Sequence, residues 1–409
     1  MLTRTKKENL LTTKYRFNRQ EFAGSLGDLG TILPIAIGMI LVNGLNPSGL
    51  FLSVGIFYIL TGFYYGVTVS IQPMKVIGAY AIATAMSSGQ VLASGLLMGI
   101  VLLVLGITGA IDIIGKYTPK SVTRGVQLST GTLLMAQGVK LMIGTSKLQL
   151  LHKMAEPYLT IQSLGPIPIG IFIGIAGAIL TLFLLDNKKL PAGLVIVILG
   201  LIIGLILGTK QGFDNLAFGF YLPQWMPLGF PLKADFTFAV FALVLPQLPM
   251  TVGNAVIANA DLSKEYFKEK SKKVTYKSLS ITMALGCIFS FFLGGMPLCH
   301  GAGGLAAHYR FGARTAGSNY MIGSIFVLLV LLLGSGILTI IYLLPMAILG
   351  VLLVFAGSQL ALTIQDVFNR KDLFVVVVIL GITLATNLGV GVLIGFGLAY
   401  LLKWEKIKI

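Results

Sequence analysis

Gln72-Pro73-Met74-Lys75 and Met296-Pro297-Leu298-Cys299-His300 are the stretches on which the fold turns, because each sets a proline and a polar side chain inside an apolar run. An extended, β-capable segment, Val67-Thr68-Val69-Ser70-Ile71, leads into the first, and Gly294-Gly295 leads into the second. Proline suits the first position of a helix, where its missing N–H has no bond to lose. A half-helix is therefore expected to begin at each proline, its free amides and positive dipole end aimed into the membrane interior. Two such N-termini facing each other make an anion site. The halves also correspond: Pro73 and Pro297 are 224 positions apart, Pro119 and Pro345 are 226 apart, and Leu26-Gly27-Asp28-Leu29-Gly30 precedes Leu245-Pro246-Gln247-Leu248-Pro249 by 219. Such correspondence marks an inverted-repeat membrane architecture; the competing explanation is chance recurrence of Pro and Gly in a chain with 50 glycines.

Composition supplies the setting. Of 409 residues, 56% are hydrophobic and 11% charged, against roughly 25% charged in soluble domains, so lipid is the solvent for most of the chain. The two cysteines, Cys287 and Cys299, imply no disulfide framework. The N-terminus is basic and has neither the apolar run nor the cleavage site of a signal peptide, so it is expected to stay in place as a tail. The net charge of +16 raises nucleic acid as a partner, but the basic residues are scattered over loops between apolar runs rather than gathered on one face. Topology accounts for them better: with the N-terminus inside, about 24 of the Lys and Arg residues fall in cytoplasmic segments and about five outside.

Apolar runs long enough to cross a bilayer start near residues 22, 48, 69, 90, 119, 166 and 190. Seven more start near 235, 275, 296, 316, 342, 372 and 389. The expected fold is thus an all-α polytopic membrane protein of seven plus seven inverted segments, discontinuous at the third and tenth. The corresponding organisation is a cytoplasmic tail over 1–20, a first repeat over 21–208, an extracytoplasmic connection over 209–234, a second repeat over 235–403 and a tail over 404–409. The even count returns the C-terminus to the cytoplasm.

Polar groups inside the apolar runs are the candidate site. Lys75, two residues after Pro73, sits badly near the positive end of a half-helix away from water, so a bound dianion, Asp28 or both should lie nearby. Alternatively its ammonium snorkels to an interface. Asp28 is the one acid well inside a span, a counter-ion to Lys75, a proton-coupling carboxyl, or a cap on a broken first helix. Cys299-His300-Gly301 follows Pro297; the glycine permits close approach and His300 can donate to an oxyanion or take up a proton. Cys299, His300 and His308 do not have a metal-ligand spacing, and the glycine run lacks the context of a dinucleotide fingerprint, so neither metal nor cofactor is expected. Gln247 and Asn254, seven apart with Thr251 between them, fall on one helical face and form either a polar wall or bonds to neighbouring helices.

Three stretches, SLGDLGTILPIAI (25–37), QPMKVIGAYAIA (72–83) and GGMPLCHGAGGLAAHYRFGARTAG (294–317), supported by LPQLPMTVGNAVIA (245–258), resemble the molybdate transporter family, a branch of the sulfate-permease-like superfamily. The resemblance implies a core of 21–113 plus 235–340 moving against a gate of 114–208 plus 341–403, with the anion between the third and tenth half-helices. It carries substrate contacts onto Gln72, Met74, Lys75, Gln247, Asn254, Cys299, His300 and Gly301, and a coupling or counter-ion role onto Asp28. The chain stops at Ile409, so the soluble C-terminal regulatory domain of most sulfate permeases is not expected. The implied function is secondary transport of a tetrahedral oxyanion, molybdate first, in the plasma membrane. A coupling proton or sodium ion and lipid are the expected partners, and a homodimer is left open. The alternatives are transport of sulfate or another oxyanion and, from another class, an anion channel. No acid/base pair, activated nucleophile or metal constellation speaks for an enzyme.

Overall fold

The computed structural model of the chain describes residues 15–187, 190–210, 212–213 and 216–404. The first fourteen residues of the basic tail, Lys188 and Lys189, and residues 405–409 lie outside the described residues. Among the described residues, six helices are long and apolar enough to cross a membrane: α1 Arg19–Asn43, α2 Pro47–Tyr65, α4 Ser88–Thr108, α8 Lys233–Ser271, α11 Gly317–Ile341 and α12 Met346–Asp366. Between them run the apolar helices α3 Lys75–Thr84, α6 Ile169–Leu184, α7 Ala192–Leu207, α9 Tyr276–Phe292 and α14 Leu388–Leu401. With them stand α5 Lys120–Ile143, α10 Ala302–Phe311 and α13 Arg370–Ala385, and the short helices Ala110–Tyr117 and Lys147–His152. The starts lie within a few residues of those expected, save at α3 and α10.

At those two helices the chain first runs extended, and the helices open at Lys75 and Ala302, not at Pro73 and Pro297. Pro73 sits instead in a short strand, β1 Gln72–Pro73, and Pro297 just ahead of another, β2 Leu298–Cys299; the two strands cross antiparallel with Gln72 opposite Cys299 and Pro73 opposite Leu298. The reason is backbone satisfaction: buried N–H and C=O groups in a membrane protein must find protein partners. The crossing supplies them, with the Met74 amide donating to the Pro297 carbonyl at 2.9 Å. Side chains tie down the approach. Ser70 Oγ donates to the Gly301 carbonyl at 2.7 Å, and Asn319 Nδ2 to the Val69 carbonyl at 2.8 Å.

Helix α8 is wound unevenly, with π-helical turns at Val240–Val244 and Thr251–Ala258 around Leu245–Met250, where Pro246 and Pro249 disturb the regular bonds. Among the closest helix pairs are α5 with α12, α4 with α9, and α2 with α11. Glycines set the first of these contacts: a Cβ at Gly131 would meet the Gly357 carbonyl at 2.5 Å, and one at Gly138 would meet the Gly350 carbonyl at 2.5 Å. Adding 219 to 131 gives 350, and adding it to 138 gives 357, so this shift exchanges the two contacts. After α7, residues 216–232 form neither helix nor strand. They are held by the Tyr221 amide on Leu331 and the Met226 amide on Phe292.

Candidate functional site

The site begins at the break in α1. A turn over Leu26–Asp28 separates Arg19–Ser25 from Leu29–Asn43, and Asp28 takes the cap position of the second piece without making a side-chain cap bond. Its carboxylate points across to the crossing strands. Gln72 Nε2 donates to Asp28 Oδ1 at 2.6 Å, while Asp28 Oδ2 and Gln72 Oε1 have no hydrogen-bond partner. Both residues are fully buried. They fit because α10 presents glycine: a Cβ at Gly304 would fall 2.4 Å from Asp28 Oδ2, and one at Gly301 would fall 1.8 Å from Gln72 Oε1.

In front of this pair lies a cavity of about 410 Å³, whose polar lining includes Thr31, Lys75, Gln127, Asn254, Arg310 and Thr363, with the backbone of Gly303 exposed in its wall. Two cations line it. No acidic side chain does among the described residues, since Asp28 stands behind the wall. The amides of Ala302 and Gly303, in the first turn of α10, have no acceptor among the described residues. A charged ammonium, a guanidinium and two free amides at a helix N-terminus fit an anion of more than one charge.

The other expected contacts lie elsewhere. The imidazole of His300 is fully occupied: its Nδ1 lies 2.9 Å from the Ser70 carbonyl, which can only accept, leaving Nε2 to accept from the Thr282 hydroxyl at 2.8 Å. It braces the strand crossing and does not line the cavity. Cys299 turns its thiol to the Pro73 carbonyl at 3.4 Å. Met74 is fully buried at the cap of α3. Gln247 is not on the cavity wall. Its Oε1 accepts from the amides of Val76 and Ile77 at 3.0 and 3.1 Å, so the α3 N-terminus, expected to be open to an anion, is capped by a side chain. Gln247 Nε2 donates to Thr251 at 2.9 Å. The π-helical turn that starts at Thr251 carries Asn254 off this direction and onto the cavity, so the two polar residues do not form one wall.

Sequence reasoning missed Gln127, Arg310, Thr363 and Thr31. Gln127 Oε1 accepts from Arg124 at 2.7 Å and from Thr363 at 3.0 Å, while Arg124 clasps Asp366 through two nitrogens at 2.8 and 2.5 Å. The one signal for this group was a run of polar residues, Thr123-Arg124-Gly125-Val126-Gln127, inside a helix long enough to span.

A profile for the family described as "Molybdate transporter of MFS superfamily" matches residues 20–134 and 239–360, the segments that carry Asp28, Gln72, Lys75, Gln127, Asn254 and Gly303. Molybdate transporter 1 of Arabidopsis thaliana is 30% identical, over 96% of this chain and 90% of its own length. Molybdate transporter 1 of Chlamydomonas reinhardtii is 27% identical, over 98% and 94%. Among solved structures, the transmembrane domain of a cyanobacterium bicarbonate transporter matches with a TM-score of 0.66 at 14% identity, over 94% of this chain and 98% of that one. SLC26A9 matches with a TM-score of 0.64 at 15% identity; 94% of this chain aligns, spanning 65% of the SLC26A9 chain. At such identities the likeness is one of fold, and that fold is shared by anion transporters, multi-pass and embedded in membrane. This chain belongs to the molybdate transporter family.

Proposed function

We propose that the chain is a secondary active transporter that carries the molybdate dianion across the cell membrane by alternating access. The observation that carries this reading is the cavity: Lys75, Arg310 and Gly303 in its lining, the unbonded amides of Ala302 and Gly303 at the helix start beside it, and no acidic side chain among the described residues, in a chain of this family. The anion sits against Lys75 and the α10 N-terminus, with Asn254 and Gln127 as neutral neighbours. Asp28, behind the wall and within electrostatic reach of Lys75, is the proton-coupling group. No covalent chemistry is involved.

The architecture proposed for this is seven plus seven inverted segments, with discontinuous third and tenth spans, a core of 21–113 plus 235–340 and a gate of 114–208 plus 341–403. It is supported by the exchange of the two glycine contacts under a shift of 219 and by the strand crossing ahead of α3 and α10. The cavity lies between those groups, with Lys75, Asn254 and Gly303 on one side and Gln127 and Thr363 on the other. The Lys and Arg bias of the loops supports cytoplasmic termini.

Uptake of labelled molybdate into proteoliposomes is the test. It should saturate, accumulate against a gradient when the outside is acidified, and resist an equal concentration of sulfate. Equal inhibition by sulfate would replace molybdate with a broader oxyanion specificity, because amides and a lysine read charge and shape more than size. Steady unitary currents without saturation would replace the transporter with a channel. With Asp28→Asn, accumulation should no longer follow the pH gradient; an unchanged pH profile removes Asp28 from coupling.

A further inference from the structure

Two unsatisfied acceptors, Asp28 Oδ2 and Gln72 Oε1, are buried beside each other in a structure whose other buried polar groups are nearly all bonded. A buried polar atom left without a partner is costly, and two on adjacent residues point to a missing hydrogen. The one bond between them, Gln72 to Asp28, is 2.6 Å. That is short for an amide N–H donor and ordinary for O–H···O, the geometry a protonated carboxyl would make with the amide oxygen. Gln72 and Asn254 meet at one bare spot on Gly301: a Cβ there would lie 1.8 Å from Gln72 Oε1 and 3.6 Å from Nδ2 of Asn254, which lines the cavity, and the two amides are not bonded to each other in this structure.

We propose that Asp28, Gln72 and Asn254 form an amide relay that converts a proton on Asp28 into a hydrogen-bond donor facing the anion, on the reading of the site given above. With Asp28 charged, Gln72 must give it Nε2. The Gln72 oxygen then faces Asn254, draws Nδ2 of Asn254 inward, and leaves the oxygen of Asn254 toward the cavity, where it repels an anion. A proton arriving on Asp28 Oδ1 becomes the donor of that bond, and the Gln72 amide turns to accept it. The turn is about a broad, two-fold terminal torsion and needs no backbone movement. Gln72 Nε2 now faces Asn254, takes its oxygen, and Nδ2 of Asn254 swings out to the anion. One proton enters and none is lost. The orphaned Gln72 oxygen gains a partner, and the cavity changes from acceptor to donor.

The surroundings of Asp28 favour such linkage. The titratable groups within its electrostatic reach are Lys75 on α3, Tyr58 on α2 and Cys299 on the strand before α10, and the Tyr58 hydroxyl is held by His308 Nε2 at 3.1 Å. Of these, Lys75 is the basic group. It stabilises a charged Asp28 until an anion occupies it, so anion and proton each favour the binding of the other, and the coupling is reciprocal. Gln72 acts as a positioning residue; Asn254 touches the anion.

The test is equilibrium binding of labelled molybdate and, in parallel, labelled sulfate to the full chain, from about pH 5 to 8. One hydrogen bond to a charged group corresponds to roughly tenfold in affinity. The wild type should therefore bind about tenfold tighter at the acid end. Asp28→Asn, whose amide can donate to or accept from Gln72 but cannot titrate, should bind with the same affinity at every pH. Gln72→Met and Asn254→Ala should each bind near the weak value with a much shallower pH dependence, the part that Lys75 alone supplies. Infrared difference spectra on anion addition should show a carboxylic-acid band in the wild type that is much weaker in Gln72→Met and absent in Asp28→Asn. If Gln72→Met or Asn254→Ala keeps the wild-type pH dependence, the relay is overturned while Asp28 coupling stands. If the wild type binds neither anion, the functional reading falls and the relay with it.

Discussion

Lys75 is a basic side chain partly exposed to the cavity and without an ion pair among the described residues, so a counter-charge for it comes from the cavity or from Asp28. Lys75→Ala should weaken anion affinity by roughly tenfold to a hundredfold, the value of a charge-assisted contact. Binding measured by isothermal titration decides it, and unchanged affinity would make Lys75 an anchor only. Gly304 is the complementary case. Its replacement by Ala puts a methyl 2.4 Å from Asp28 Oδ2 and 2.6 Å from Gln72 Nε2, so one of the two must leave its place. Gly304→Ala should abolish proton-driven uptake while the protein still elutes as a folded species on size exclusion; full activity would mean that the Asp28 and Gln72 packing is dispensable. Asp28 and Lys75 were legible in the sequence because charge inside an apolar run has few benign explanations. His300 was not. Its type is right for anion work, but which atoms its two ring nitrogens meet depends on Ser70 and Thr282, which no local spacing relates to it.

At the scale of elements, the apolar runs carried the helices, since length and hydropathy are local properties. The extended approach to α3 and α10 was also legible from β-branched residues and glycines. The placement of the helix starts was not, because the prolines were drawn into a strand crossing between segments more than 200 residues apart. For the same reason Gln247 was read as part of a wall, when tertiary contact makes it the cap of α3. The α5–α12 contact yields a sharper expectation. Gly138→Ala or Gly350→Ala drives a methyl to 2.5 Å from a backbone carbonyl of the partner helix, which has no flexible end to move. Each should cost about 1–3 kcal/mol by overpacking and lower the melting temperature in detergent. Gly381→Ala and Gly397→Ala, on helices α13 and α14 with nothing within 4 Å, should be neutral or raise it, since Ala gains up to ~1 kcal/mol over Gly in a helix interior. Equal effects at all four positions would remove close packing as the explanation.

For the whole molecule, the relation between distant segments decides behaviour, and the loop between α5 and α6 shows how. Glu156, outside the membrane-spanning helices, is buried and reaches 190 residues along the chain to accept the amides of Met346 and Ala347, both at 2.8 Å, at the start of α12. A carboxylate at a helix N-terminus is favourable, but here removal from water outweighs the two bonds, and its pKa is pushed from the ordinary 4.5 to about 7. The sign follows by linkage: the folded protein holds this proton more tightly than the unfolded chain. Glu156 therefore adds stability below its unfolded pKa of 4.5 and loses that contribution as pH rises through about 7. Glu156→Gln cannot titrate yet keeps the shape and one acceptor. The melting temperature of the wild type minus that of Glu156→Gln should fall as pH rises from about 4.5 through 7, whatever constant offset the amide introduces. Thermal unfolding followed by tryptophan fluorescence in detergent across that range reads the difference directly. A flat difference, or one that grows with pH, would mean that the two amides hold Glu156 as a stable anion and that the start of α12 is insensitive to acid.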